Sequence, residues 1–398
     1  MDMSFSAAYE PFRQQVRRFF ETDYPQDILA KVRKGHSLTT AEVRKAEMAL
    51  GAKGWLASAW PKEFGGPGWS IEEQYIFDEE LERAGAPTVT PMGVIYVGPV
   101  LYTFGSDAQK DKWLGPTRSG ELGWAQGYSE PGSGSDLASL QFSAKREGDE
   151  FVLNGHKIWT SAAQHADWIF LLARTSKGER KQQGISFICC EMDRAGVTLV
   201  PIIGIDGKHY LNQVIFEDVR VPADYMIGEE GKGWEYSTYL LGHERTSYAR
   251  IGAKRKMLAD LKSIAKAAPV GGNEALIDDM NFVAKLADTE IKVDGLETTV
   301  LRILSSVADG GAPGNEASIV KILATETHQQ ITELMLEACG RAAVVGTPDS
   351  ASPDWAPDAL TGYAPPAVST YFATRAQSIY GGTNEIQKNI IAKRVLGL

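Results

Sequence analysis

The chain has 398 residues, 43% of them apolar and 23% charged, with a formal net charge of −10 and a pI near 5.3. Such a length supports a large buried core split over two or three domains. The acidic balance excludes a broad cationic footprint for nucleic acid or anionic membrane and leaves room only for a local basic pocket.

From Phe12 to Phe20 apolar residues recur at Phe12, Val16, Phe19 and Phe20, and IEEQYIFDEELERAG repeats the pattern, so residues 1–120 are expected to form an α-helical domain. The opening MDMSFSAAYEPF resembles neither a signal nor a transit peptide, and no apolar run reaches the roughly 18 residues of a membrane span. Over 121–231 the texture becomes short and β-rich (FVLNGHKIW, DWIFLLART, GISFICCEM, VTLVPII, NQVIFEDVRV), which predicts a middle β-barrel or sandwich domain. From 232 to 398 long helical windows return and predict a helical bundle, interrupted by a Pro-, Gly- and Ala-rich loop over about 344–369 that is not expected to be regular helix. Cys189, Cys190 and Cys339 make neither a disulfide framework nor a metal-ligand spacing. They read as buried small residues of a protein expected in the cytoplasm.

Several chemistries lack their signature. There is no Gly-x-Gly-x-x-Gly opening a βαβ unit, no phosphate-binding Gly-x4-Gly-Lys-Ser/Thr loop, no Gly-x-Ser-x-Gly and no HExxH, so no metal site is expected. The informative segment is GYSEPGSGSD, Gly127 to Asp136, where helical texture gives way to β texture. Gly132 and Gly134 would let backbone approach a planar ligand, and Ser129 and Ser135 offer hydroxyls to its polar edge. Taken alone, a Ser/Gly-rich turn is equally well only a turn. Downstream, NGHKIWTSAAQHADW places Trp159 and Ser161 at a strand end, an aromatic face and a hydroxyl that could flank a redox-active ring. The plain alternative makes Trp159 a core aromatic. In SIYGGTNEIQKNIIAKRVLGL, Gly381, Gly382 and Thr383 form a tight turn exposing amides before a last helix.

These three segments, in an α, β, α layout, resemble the acyl-CoA dehydrogenase family over essentially the whole chain, and WPKEFGGPGWS and FEDVRVPADYMIGEEGKGW are further landmarks. The resemblance implies an α+β fold with an N-terminal helical domain, a middle β domain and a C-terminal four-helix bundle. It also implies non-covalent FAD, held by Gly127, Tyr128, Ser129, Gly134 and Ser135, packed by Trp159, met near N5 by Ser161 and from the C-terminal side by Thr383 and Glu385. An acyl-CoA would be α,β-dehydrogenated and electrons passed to an electron-transferring flavoprotein.

Two departures refine what the resemblance implies. Many members carry a catalytic glutamate in a Tyr-Glu-Gly-Thr turn, where this chain has Tyr380-Gly381-Gly382-Thr383. A subset places the base on an interior helix ending Glu-Arg, and LLGHERTSYA supplies Glu244 and Arg245. Leu240, Leu241, Glu244 and Tyr248 share one helical face, where desolvation would strengthen the carboxylate as a base. The bland reading is an exposed glutamate or a partner for Arg245. In the family role Glu244 removes the α-proton, the Gly381 amide meets the developing enolate, and Arg245, with Ser135, contacts substrate, although Gly242 replaces a common CoA-contacting Asp. The second departure concerns the Arg-x-x-Phe-Gly and Gln-x-x-Gly-Gly-x-Gly-Tyr segments that reach a neighbour's FAD in homotetramers; they are replaced by AAPVGGNEALIDD and LEACGRAAVVGTPDS. This resembles large subunits of heteromeric dehydrogenases such as the pimeloyl-CoA type, implying a smaller homologous partner in an α2β2 assembly. Alternatives are an acyl-CoA oxidase or flavin monooxygenase on the same fold, and a non-catalytic subunit.

Overall fold

The computed structural model describes residues 7–244, 249–271, 274–308, 314, 317–344 and 364–398, without the side chains of 241–244, 271, 307, 308 and 365. The N-terminal part holds α1 (Glu10–Thr22), α2 (Gln26–Arg33), α3 (Thr40–Ala52), α4 (Ile71–Ala84), α5 (Gly98–Phe104) and α6 (Asp107–Ser119), with a π-helical turn, Met92–Val97, leading into α5. Thr39, Ser70 and Ser106 cap α3, α4 and α6, each with Glu or Gln three residues on (Glu42, Glu73, Gln109), so that two otherwise unpaired N–H groups are satisfied at each start. On α1 the helical spacing buries Val16, Phe19 and Phe20; Phe19 packs edge-on against Trp55 and Phe20 lies tilted against Phe77. Beside this apolar face Glu80 of α4 is buried and forms ion pairs with the partly exposed Arg13, Arg17 and Arg83. Burial opposes ionisation, yet the three guanidiniums outweigh it and hold the carboxyl down to about 2.

The middle part is one sheet: β1 (Trp124–Gly127), β2 (Ser143–Glu147), β3 (Glu150–Ser161), β4 (Trp168–Arg174), β5 (Ile185–Glu191), β6 (Val197–Ile203), β7 (His209–Pro222) and β8 (Met226–Ile227). The path runs β6-β7-β3-β2-β4-β5-β8, with β1 added in parallel on β4. β4 reads WIFLLAR without alternation because both of its faces are covered. Ile169, Leu171 and Ala173 enter a core enclosed by the strands, whereas Trp168, Phe170 and Leu172 join the core of the helices. Trp113, Trp124 and Trp168 meet at 5.1–5.9 Å and fasten α6 to β1 and β4.

The C-terminal part comprises α7 (Gly233–Glu244), α8 (Ile251–Ala267), α9 (Met280–Ala308), α10 (Ala317–Cys339), α11 (Ala364–Thr374) and α12 (Asn384–Arg394), with a small hairpin of β9 (Pro269–Gly271) and β10 (Glu274–Ala275) after α8. α10 is the central rod, sharing a core with α8, α9 and α11. The β6–β7 hairpin straps the domains together: Ser369 of α11 donates to buried Asp206 at 2.7 Å, and Lys208 donates to the Gly35 carbonyl at 2.7 Å. The loop expected to run to about 369 is corrected here. α11 already begins at Ala364, because Pro365 and Pro366 occupy a first helical turn, where the missing N–H has no intrahelical partner to lose; 345–363 lie outside the described residues. No helix among the described residues is long and apolar enough to cross a membrane.

Candidate active site

The GYSEPGSGSD turn leaves the end of β1 under tight constraint. A Cβ at Gly127 would stand 2.3 Å from the Leu171 side chain, so glycine is required there. Tyr128 is buried edge-on to Phe170. Glu130 and Ser133 exchange backbone hydrogen bonds of 2.8 and 3.0 Å, closing a small hairpin. Gly132 and Gly134 face open space where side chains would be, and Ser135 is exposed.

This turn is bolted to β3. The Ile158 amide donates to the Ser129 carbonyl at 2.9 Å, and beneath it lies an ion pair that sequence reasoning missed. Lys157, fully buried, donates to Glu130 Oε1 at 2.8 Å and to the Tyr128 carbonyl at 3.1 Å, while the Glu130 carboxylate also accepts from the amides of Gln141 and Phe142. Burial pushes the Lys157 ammonium down to about 8, with Glu130 acting against it. The available signal was a charged residue of opposite sign inside each quoted motif, Glu130 in the first and Lys157 in the second.

At the end of β3 the pairing slips. Lys157 opposes Val214 and Thr160 opposes Asn212, so Ile158 and Trp159 stand against Gln213 alone in a bulge. Trp159 takes φ 61° and is 57% exposed, and Ala162 takes φ 54°. A left-handed conformation costs a non-glycine residue about 1–2 kcal/mol, and more than half of the tryptophan surface stays open, where packing within this chain offsets none of that cost. The core-aromatic alternative for Trp159 is thereby excluded. Across the outer sheet face Ser161 pairs with Leu211 and Leu211 with Ile202, so a hydroxyl sits at the border of an apolar strip next to the tryptophan. An exposed aromatic, an apolar strip and open backbone at Gly132 and Gly134 fit a flat aromatic cofactor.

The third segment is carried by α10 and α12. Gly381 and Gly382 take φ 64° and 82°, and Thr383 caps α12, its hydroxyl oxygen accepting from the Ile386 amide at 3.2 Å. Glu385 is exposed in the first turn, and its own amide and the Thr383 hydroxyl hold its carboxyl below the ordinary range. The structure thus joins the first two segments directly and bears the third from behind. Glu244 is the last residue of α7, a helix that buries Tyr236, Ser237 and Leu240 and packs against β5, the π turn and α5. The Glu244 side chain and the whole of Arg245 lie outside the described residues.

Beside the turn, linked by a Lys181–Asp136 ion pair of 2.8 Å, an open cleft of about 620 Å³ is lined by Arg180, Gln182, Gln183, Gly231, Lys232, Trp234 and Glu235. A separate cavity of about 20 Å³ lies behind Ala162, between Arg44, Glu47, Thr90 and His165. It has room for one water and none for a cofactor. No cluster of three or more His, Cys, Asp or Glu among the described residues is placed to hold a metal ion.

Comparison with known proteins covers all three parts. The acyl-CoA dehydrogenase N-terminal domain matches residues 6–121, the middle domain 125–219 and the C-terminal domain 231–396. Acyl-CoA dehydrogenase IpdE1 of Mycobacterium tuberculosis is 34% identical over 98% of this chain and 97% of its own. Among solved structures, the Tcur3481–Tcur3483 steroid ACAD superposes with a TM-score of 0.87 at 32% identity, over 100% of this chain and 99% of that one. The ChsE4–ChsE5 complex from Mycobacterium tuberculosis gives 0.86 at 32% identity with the same coverage. Three consecutive domain matches and relatives aligned end to end make the assignment: the chain belongs to the acyl-CoA dehydrogenase family.

Proposed function

We propose that this chain binds FAD, α,β-dehydrogenates an acyl-CoA thioester, passes electrons to an electron-transferring flavoprotein, and works beside a smaller homologous dehydrogenase subunit in an α2β2 assembly. The observation that carries the reading is Trp159, held exposed in a left-handed backbone beside Ser161, on a wall fastened to the GYSEPGSGSD turn. A side chain kept so at a cost is a surface built for a ligand.

FAD, when bound, would supply the hydride acceptor. Trp159 would cover one edge of the ring, Ser161 would donate to it, and the Tyr128 and Ser129 backbone and the Ser135 hydroxyl would hold its polar side. Thr383 and Glu385 would approach from the α12 side. Glu244 would take the α-proton, and the Gly381 amide would meet the charge that develops on the thioester oxygen. The cleft between Arg180 and Lys232, with Arg245, would take the CoA handle. Support for the heteromer comes from the missing neighbour-reaching motifs and from solved relatives that pair two different proteins. One of them is named a steroid ACAD, so a bulky ring-bearing acyl group is the first class to assay. The test is Glu244→Gln: the variant keeps flavin and binds acyl-CoA, but bleaching of the flavin by substrate slows by at least ~1000-fold. Near-normal bleaching removes Glu244 from the role of base.

A further inference from the structure

Lys321 of α10 is 1% exposed, and its ammonium donates to the Gln377 carbonyl at 3.0 Å and to Asn384 Oδ1 at 3.3 Å. These two acceptors bracket the Gly381–Thr383 turn on both sides. Asn384 is locked in turn, its amide donating to Glu326 Oε1 at 3.1 Å, and the Gln377 side chain lies 3.0 Å from His328 Nδ1. From inside α12, Gln387 donates to the Gly381 carbonyl at 3.1 Å, and a Cβ at Gly382 would stand 2.6 Å from that same amide nitrogen. On the outer side of the turn Ile379 and Tyr380 are 65% and 48% exposed. Two adjacent left-handed glycines are the least self-determined backbone in a chain, so their shape here is imposed from behind. Placing an ammonium inside a helical bundle is unfavourable unless hydrogen bonds answer it, and an apolar side chain would fill the same space without that cost.

We infer that Lys321, with Gln387, is a positioning residue that sets the orientation of the Gly381 amide, and so the donor offered to the thioester oxygen, by clamping both ends of the 377–384 turn. The inference rests on the dehydrogenase reading above. A clamp of this kind acts on the reaction step more than on substrate binding, because the oxygen gains its charge only as the proton leaves.

The test uses the chain co-purified with its partner subunit. In Lys321→Met, the limiting rate of flavin reduction by acyl-CoA is expected to fall about 10- to 100-fold while substrate Kd changes less than ~3-fold. In the flavin-free chain, amide exchange over 377–387 is expected to quicken at least ~10-fold with protection of β3 and β7 unchanged. Lys321→Arg should recover part of the rate, and Gln387→Leu should give a smaller loss of the same kind, which keeps the test open if Lys321→Met does not fold. A reduction rate within ~2-fold of wild type in both Lys321→Met and Gln387→Leu, or exchange that quickens throughout the chain, overturns the inference. If the wild-type complex itself is not bleached by any acyl-CoA, the dehydrogenase reading falls and takes this inference with it. A bleached wild type with an equally fast variant removes the positioning role alone.

Discussion

Replacing Trp159 by glycine separates what the ligand gains from this residue from what the chain loses by holding it. With 57% of a tryptophan surface of about 250 Å² exposed, about 140 Å² stays open to a ligand and about 110 Å² is already covered. At about 25 cal/mol per Å², a flavin covering half to all of the open part would gain roughly 1.8–3.5 kcal/mol, or about 20- to 400-fold in affinity. The covered part stabilises the flavin-free chain by at most about 2.7 kcal/mol, and relief of the left-handed strain returns about 1–2 kcal/mol of it. Trp159→Gly should therefore weaken FAD binding by more than about tenfold while lowering flavin-free stability by no more than about 2 kcal/mol. Trp159→Ala keeps the strained backbone and should be less stable than Trp159→Gly, the reverse of the usual order for a strand. Quenching of flavin fluorescence on titrating FAD into the flavin-free chain with its proposed partner subunit, together with urea melts, reads both quantities. FAD affinity within ~3-fold of wild type, or an alanine variant more stable than the glycine one, would refute the reasoning.

Three further outcomes follow from the buried charges and the glycine turn. Glu130→Gln strands the Lys157 ammonium and should cost about 3–5 kcal/mol in a urea melt, with Glu130→Gln/Lys157→Met recovering part of it; a loss below ~1 kcal/mol would show that the pair is not needed. Lys254 is buried, and burial pushes its ammonium from 10.5 down to about 7, with the Arg250 charge assisting. Between pH 7 and 10.5 the unfolded chain then binds the extra proton, so this group's contribution to stability rises with pH by up to about 1.4 kcal/mol per unit. Lys254→Met should be the more stable protein near pH 6 and should flatten that slope, as urea midpoints taken across the window will read. Restoring the common family carboxylate with Gly381→Glu forces a side chain onto φ 64° at about 1–2 kcal/mol, so it should not rescue the bleaching rate of Glu244→Gln to within tenfold of wild type.

Much of the fold is legible because it depends on local periodicity. The spacing of Val16, Phe19 and Phe20 predicts the buried face of α1, and capping patterns such as Ser70 with Glu73 mark helix starts. The unbroken apolar run of β4 identifies a strand but not that its two faces serve different cores, which only the neighbouring α6 and β1 decide. The site segments are legible as motifs, yet what holds them is not. Lys157, Glu130 and Lys321 look like ordinary solvated charges in a chain that is 23% charged, and only folding brings them to carbonyls and carboxylates under the turns they support. Proline reads as a helix breaker, so the start of α11 at Ala364 is concealed by the residues that suit a first turn.

The most direct test of the central claim is a single anaerobic turnover. The chain, co-purified with the smaller subunit proposed as its partner and loaded with FAD, is mixed with a ring-bearing acyl-CoA, and the thioester is identified by mass and by deuterium retention at its α and β carbons. The account predicts an α,β-unsaturated thioester two hydrogens lighter, formed in step with flavin bleaching and slowed by deuterium at either carbon. Recovery of the substrate unchanged across short, long and ring-bearing acyl-CoAs, with the flavin still oxidised, would contradict it.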